Sequence, residues 1–189
     1  PLRGRIAQAA RQRVEARYAV GQMVAATRQV YDECLSRPRV VVWKLSALGD
    51  AVLITPSLRA IRRHVPRASI TLVVGRSVYD VMARCPYVDR LLVFDQTRKD
   101  RTWWARARFI RQVRRLGFEQ SIDLQNNRFT HLAAWAAGIP TRLGYARRWG
   151  RLLSQAVPPP QGAWHPVAHQ QHLLAGGGIP PDGERLELW

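Results

Sequence analysis

From residue 39 onward the sequence alternates short β-branched runs with longer stretches of helical period, and this alternation narrows the possible folds more than any other feature. Parallel strands need crossover connections, which the helical stretches supply, so the pattern predicts an α/β fold with a parallel sheet and helices on both faces. Strands are expected at 40–44, 69–74, 90–94, 120–124 and 141–145, and helices near 51–64, 77–84, 102–116 and 128–137. A breaker follows each helix: Val65-Pro66, Cys85-Pro86, Leu116-Gly117 and Gly138-Ile139-Pro140. A stiff linker at 158–163 then leads to a last helix from about His165 to Ala175, which Gly176-Gly177-Gly178 ends.

Residues 1–38 read differently. Val20, Met23, Val24, Val30, Tyr31 and Leu35 recur at three- and four-residue steps among many arginines, and Arg37-Pro38 closes the run. This is a basic helical extension, expected to pack on its own domain, with a membrane surface or a partner as the other use of such a helix. The remaining 39–189 has the size of one domain, since a single core usually takes roughly 100–150 residues. The chain opens at Pro1 and stops at Trp189 in mid-pattern, so a fragment of a longer protein is expected.

Lysine and arginine number 30 against 13 acidic residues, a formal net charge of +17 that draws polyanions such as nucleic acid, anionic lipid or phosphorylated saccharide. Cys34 and Cys85 stand far apart without a C-x-x-C pair, which gives neither a disulfide framework nor a zinc site and makes a reduced, cytoplasmic setting the expectation. Apolar runs are of strand length, well short of the roughly 20 residues that span a bilayer.

In open parallel sheets ligands bind beyond the carboxyl ends of the strands. There the sequence places Ser46 to Asp50 after the first strand, Gly75-Arg76-Ser77 after the second, Asp95-Gln96 after the third and Gln125-Asn126-Asn127-Arg128 after the fourth. A carboxylate among hydroxyls, amides and arginines suits a sugar or phosphosugar. The dinucleotide, P-loop, nucleophile-elbow and zinc-protease signatures are all missing. Asp50 is the prime candidate. Beside a helix start it can cap backbone N–H groups or receive a hydroxyl proton, and the two roles are compatible. If Thr55 is the N-cap before Pro56, residues 50–54 form a loop; if the helix begins at Asp50, Pro56 bends its second turn.

The run Lys44-Leu45-Ser46-Ala47-Leu48-Gly49-Asp50, continuing through Thr55-Pro56 to Arg62-Arg63, resembles the opening of glycosyltransferase family 9, which contains the ADP-heptose:lipopolysaccharide heptosyltransferases. A second block, Ile122-Asp123-Leu124-Gln125-Asn126-Asn127 and then Arg142-Leu143-Gly144-Tyr145, resembles the family's fourth strand and its sequel. The resemblance covers about residues 39–179. It implies the N-terminal, acceptor-side, Rossmann-like half of a GT-B enzyme, with the nucleotide-sugar donor, an ADP-heptose, bound mainly by a C-terminal domain outside this sequence. Inverting transfer would use Asp50 as base and neither metal ion nor cofactor.

On the same resemblance Ser46 and Gly49 shape the first loop, and Gln125, Asn126 and Arg128 line the acceptor side. The family often carries its basic residue one place later, where Phe129 stands here. Near the last helix the family's acidic residue is replaced by Ala168, and apolar ones by Gln171 and Gly177. The acceptor would be an anionic glycolipid of the lipopolysaccharide core, met at the inner face of the cytoplasmic membrane. Arg76, with Arg62, Arg63, Arg111, Arg114 and Arg115, could hold its charges. His165, His169 and His172 read as a solvated helix face, and Trp103, Trp104 and Trp135 as core or domain-contact residues. One rival reading is a basic module for RNA or other polyanions, which would show stacking aromatics among its arginines, and a second is a transferase of the same architecture acting on a different glycan; no nucleic-acid partner is expected.

Overall fold

A computed structural model describes residues 2–18, 20–35, 37–45, 48–95, 102–147 and 149–189. The chain divides into two compact units, Pro1–Arg37 and Pro38–Trp189. The first holds helices α1 (Leu2–Tyr18) and α2 (Val20–Leu35). Of its apolar stripe, Val20, Met23, Val24, Val30 and Tyr31 are exposed. The side of α1 offers little to cover them, because that helix is dominated by arginine and its own Ile6 and Val14 are exposed as well.

The second unit is a six-stranded, fully parallel sheet in the order β3-β2-β1-β4-β5-β6. Its strands are β1 (Arg39–Lys44), β2 (Ser69–Val74), β3 (Arg90–Val93), β4 (Gln120–Asp123), β5 (Thr141–Tyr145) and β6 (Gln155–Val157). Helices α3 (Leu48–Leu53), α4 (Thr55–His64), α5 (Tyr79–Met82), α6 (Trp103–Arg115), α7 (Arg128–Ala136) and α8 (Pro166–Gly176) complete it. This is the expected Rossmann-like α/β architecture, and the strand positions agree to within a residue.

The unbroken apolar run of β1 has a direct cause. Val40 and Val42 point into a core shared with α4, α5 and α8, whereas Val41 and Trp43 point into a second core shared with α6 and α7. A strand covered on both faces cannot alternate apolar with polar residues. The one polar atom this brings inside, the Trp43 indole nitrogen, donates to Ser121 Oγ at 2.8 Å.

The two readings of residues 50–64 both need correction. The segment is neither a loop and a helix nor one bent helix, but two helices that meet at Ile54, with Pro56 the second residue of α4. Thr55 is not a cap. Proline has no N–H to offer the Val52 carbonyl, and the Thr55 hydroxyl donates to that carbonyl instead, at 2.9 Å. The expected helix at 77–84 is a single 3₁₀ turn, Arg76–Val78, followed by the short α5. Strand β6 was not anticipated; it has three residues, lies at the sheet edge and runs straight into three prolines, so it carries almost no pattern.

Helix α8 and the tail behind it close the first core. A side chain at Gly176 or Gly177 would collide with Val157 or Leu143, so glycine lets the end of α8 lie directly on β6 and β5. The polar Gln171 is buried and donates its amide to the Gly183 carbonyl. Both departures from the family pattern are thus accommodated by local packing.

The tail is fastened to α4 by Arg59, a buried arginine. Its Nε meets Asp182 Oδ2 at 2.6 Å and its Nη1 meets Glu187 Oε1 at 2.8 Å, with further bonds to the carbonyls of Asp182 and Arg185. Glu187 also accepts from the Tyr87 hydroxyl, and the Tyr87 ring meets Trp189 edge-on. Removing the guanidinium takes the shared buried donor from two partly exposed carboxylates and leaves Asp182 with Arg63 and Glu187 with Tyr87. Arg59→Ala should lower unfolding free energy by about 2–3 kcal/mol, below the value for a fully buried pair because of that exposure. Arg59→Lys should recover little, since an ammonium cannot reach Asp182 and Glu187 with a planar fork. Urea unfolding of the three proteins checks this; equal midpoints would refute it.

Candidate functional site at the β1–β4 crevice

The chain runs outward from β1 through β2 to β3 on one side and from β4 through β5 to β6 on the other. Strands β1 and β4 are therefore neighbours whose following loops diverge, which opens a crevice at their carboxyl ends. Asp50, the third residue of α3, lies on one lip with its carboxylate 42% exposed. Lys44, the last residue of β1 and far less exposed, reaches to within 3.7 Å of it. Ser46 lies outside the described residues. A Cβ at Gly49 would meet nothing of the protein, so glycine there leaves bare backbone beside Asp50 without being required by the packing.

The other lip is built on Asp123, buried at the end of β4. Its Oδ1 accepts from the backbone N–H groups of Gln125 and Asn126 at 3.0 and 2.7 Å, folding the chain into an Asx turn. Asn126 takes a left-handed conformation, φ 52°, which asparagine tolerates better than most residues. Its side-chain oxygen accepts from Tyr145 N at 2.7 Å, and Gln125 Oε1 accepts from Leu45 N at 2.9 Å. The carbonyl ends of both predicted ligand-binding amides therefore tie the loop after β4 to the ends of β5 and β1. The bond to Leu45 joins the two lips directly.

Arg128 is exposed at the start of α7, behind the Asn127 cap and its reciprocal partner Thr130. Phe129 turns inward and stacks on Phe94 with centroids 4.4 Å apart. Arg76 stands exposed at the end of β2, one strand from β1, and no described contact joins it to the β4 loop. Arg62 and Arg63 are less available than expected, being paired with Asp89 and Asp182.

Beneath the second lip, Asp123 Oδ2 lies 3.2 Å from His131 Nε2, without hydrogen-bond geometry and with both side chains 2% exposed. Burial pushes the Asp123 carboxyl up to about 7, against the pull of the Gln125 and Asn126 N–H groups, and burial holds His131 below its usual value. The sequence offered a clue, an Asp at a strand end eight residues before a His, but not that both would be inside.

A second group escaped the sequence reading. Tyr145, at the end of β5, donates its hydroxyl to the His169 carbonyl and lies 3.3 Å from His172 Nδ1, and burial lifts its hydroxyl to about 12. Trp164 meets His172 edge-on at 5.3 Å. His169 is lowered by burial first and then by positive charge around it, that of Arg147 foremost. His169 and His172 thus form an aromatic wall with Tyr145, and the solvated face expected of the three histidines holds only for His165. Of the two readings of Trp103, Trp104 and Trp135, core or domain contact, the core reading is corrected: they are 63%, 67% and 52% exposed.

Known proteins share this fold. The domain superposes on the crystal structure of a family 9 glycosyltransferase from Veillonella parvula with a TM-score of 0.71 and 25% identity, over 79% of this chain and 45% of that one. This is the fold of glycosyltransferase family 9. The E. coli heptosyltransferase WaaC in complex with ADP-2-deoxy-2-fluoro heptose is similar at 0.64 and 16% identity, over 78% of this chain and 50% of that one. E. coli ADP-heptose lipopolysaccharide heptosyltransferase II follows at 0.61 and 18%, over 80% and 47%. In sequence, a provisionally named glycosyltransferase of Haemophilus influenzae is 24% identical over 115 residues, 61% of this chain and 32% of that protein. No family model matches the chain. The chain spans about half the length of these solved relatives and a third of the Haemophilus protein.

Within this family 9 fold the Asp123 turn makes a distinct prediction. Between the ordinary value of 3.8 and about 7 the folded protein keeps a proton on Asp123 that the unfolded chain has released. Its contribution to stability is therefore full below the lower value and lost as pH rises through the upper one. His131, lowered by burial, works the opposite way below its ordinary value of 6.5 and blunts the effect there. Asp123→Asn keeps the accepting oxygen and cannot ionise, so its melting temperature relative to wild type should rise from about pH 5 to about pH 8. Asp123→Ala loses the turn and should cost about 1–3 kcal/mol at both pH values. Parallel pH responses of wild type and Asp123→Asn would exclude a buried titration at this position.

Proposed function

We propose that the chain is the N-terminal, acceptor-side half of an inverting GT-B glycosyltransferase of family 9, of heptosyltransferase type, with Asp50 as its base. The observation that carries the reading is the half-exposed Asp50 carboxylate at the switch between β1 and β4, with Lys44 beside it and the two lips tied through Gln125. In this mechanism an acceptor hydroxyl gives its proton to Asp50 as its oxygen attacks the anomeric carbon of the donor. The carbon–oxygen bond to the nucleoside diphosphate breaks on the opposite face, which inverts the centre. The departing negative charge is met by basic groups and helix N-termini, mainly on the donor-binding domain.

Arg128, Arg76, Gly49, Ser46, Gln125 and Asn126 would line the acceptor side in this reading, and the side-chain oxygens of Gln125 and Asn126 also keep the loop in place. The donor would be a nucleotide sugar of the ADP-heptose kind, as bound by WaaC, and the acceptor an anionic glycolipid of the lipopolysaccharide core. A net charge of +17 favours such an acceptor at the inner face of the cytoplasmic membrane. Among the described residues no helix is long and apolar enough to cross a membrane, so the association would be peripheral.

Asp50→Asn in the intact two-domain enzyme should reduce kcat by about 100- to 10,000-fold, the usual range for losing a general base, with an unchanged melting temperature. Transfer of ADP-heptose to a delipidated core oligosaccharide is the assay, and full activity would remove Asp50 from the chemistry. The 189-residue chain by itself should transfer no sugar.

A further inference from the structure

We infer that the outer face of α6 is a docking surface for an anionic lipid bilayer, anchored by Trp103 and Trp104. The helix is fixed to the domain on one side only, by Phe109 and Val113, both buried against the second core. Trp104, Arg108, Arg111 and Arg115 follow one another at four-, three- and four-residue steps and so share a stripe on the side away from that core. All four are exposed, and no Asp or Glu occurs anywhere in the helix. Trp103 lies against Trp104, with ring centroids 3.4 Å apart, so two large indoles form one protruding aromatic block at the head of a basic stripe about 20 Å long.

Two adjacent tryptophans more than three-fifths exposed present apolar area to water that no described residue of this domain covers. A bilayer interface meets each part of the stripe. Indole rings settle at headgroup depth, and arginines beside them pair with anionic phosphates while their stems cover apolar surface. Single-stranded nucleic acid fits less well, because bases need separate aromatic faces and these two rings already lie on one another. The inference rests on the membrane-surface association proposed above and names the face that makes it.

Co-sedimentation with vesicles of phosphatidylcholine containing a quarter phosphatidylglycerol, against vesicles of phosphatidylcholine alone, tests it. Wild type should sediment with the anionic vesicles only. Trp103→Ala/Trp104→Ala should bind them at least tenfold more weakly, and Arg111→Gln/Arg115→Gln should bind more weakly and lose most of its salt dependence. Because all four side chains are exposed, circular dichroism and melting temperature should stay at wild-type values. If wild type binds anionic vesicles and the double tryptophan variant binds equally, association with membranes survives but this face is overturned. If wild type binds no vesicles, both are overturned. Binding of single-stranded RNA that depends on the two tryptophans, without vesicle binding, would reassign the face to nucleic acid and overturn the inference as well.

Discussion

Complete burial of β1 is the constraint on which the rest of the domain depends. A strand whose every central side chain is shielded must have a strand on each side and helices on both faces, and this chain meets that requirement with β2, β4 and two sets of helices. Once β1 is central and all strands are parallel, the connections must leave it in opposite directions. The switch between β1 and β4 follows, and with it the crevice where Asp50 is presented. The apolar run that builds the core and the polar loop that ends it are consecutive in sequence, and the core fixes where the loop emerges.

At that point the backbone has polar groups with no strand to satisfy them. Leu45 N and Tyr145 N, just beyond or at the ends of β1 and β5, are taken up by the side-chain oxygens of Gln125 and Asn126. Those amides are in turn held by the turn on Asp123. Three consecutive strand ends are thus stitched together by side chains from a single loop. Buried donors left unmade cost more than made ones contribute, so this loop is rigid for the same reason that its residues are polar. A polar loop beyond a strand is consequently weak evidence of ligand contact by itself: here the side-chain oxygens of both amides belong to the scaffold.

Much of this was legible in the sequence and the remainder has identifiable reasons for being hidden. Strands β1 and β2 could be placed from their apolar runs alone, because β-branched residues bounded by breakers have few alternatives, whereas β5, Thr-Arg-Leu-Gly-Tyr, has no such run. The split between α3 and α4 could not, since it turns on whether the Thr55 hydroxyl serves Val52, a choice that residue type does not settle. Asp50 and the Gln125-Asn126 loop were visible as polar residues after strands. The partnership of Asp123 with His131, and the wall of Tyr145, His169 and His172, were not, because those contacts cross between elements whose relative rotation no periodicity encodes. The tryptophans of α6 misled for a simpler reason: aromatic residues are usually inside, and the helix spends its inner face on Phe109 and Val113 instead.

The second brace of the domain runs through α4. Thr55 stands at the break where the helix bearing Asp50 ends, and its hydroxyl donates to Val52 O while accepting from Glu187 N at 3.1 Å. One turn later Arg59 grips Asp182 and Glu187. The segment 182–187 is therefore bonded both to the helix that supports the Asp50 loop and to the joint at its base. A shift of this segment is resisted because Arg59 is buried and holds Asp182 and Glu187 together, with Arg63 and Tyr87 as their second donors. It must be transmitted to α4 and, through Thr55, to the end of α3. The position of the carboxylate at the crevice is in this way set from two directions, by Lys44 and Gln125 from the sheet and by the 182–187 segment from behind the helix.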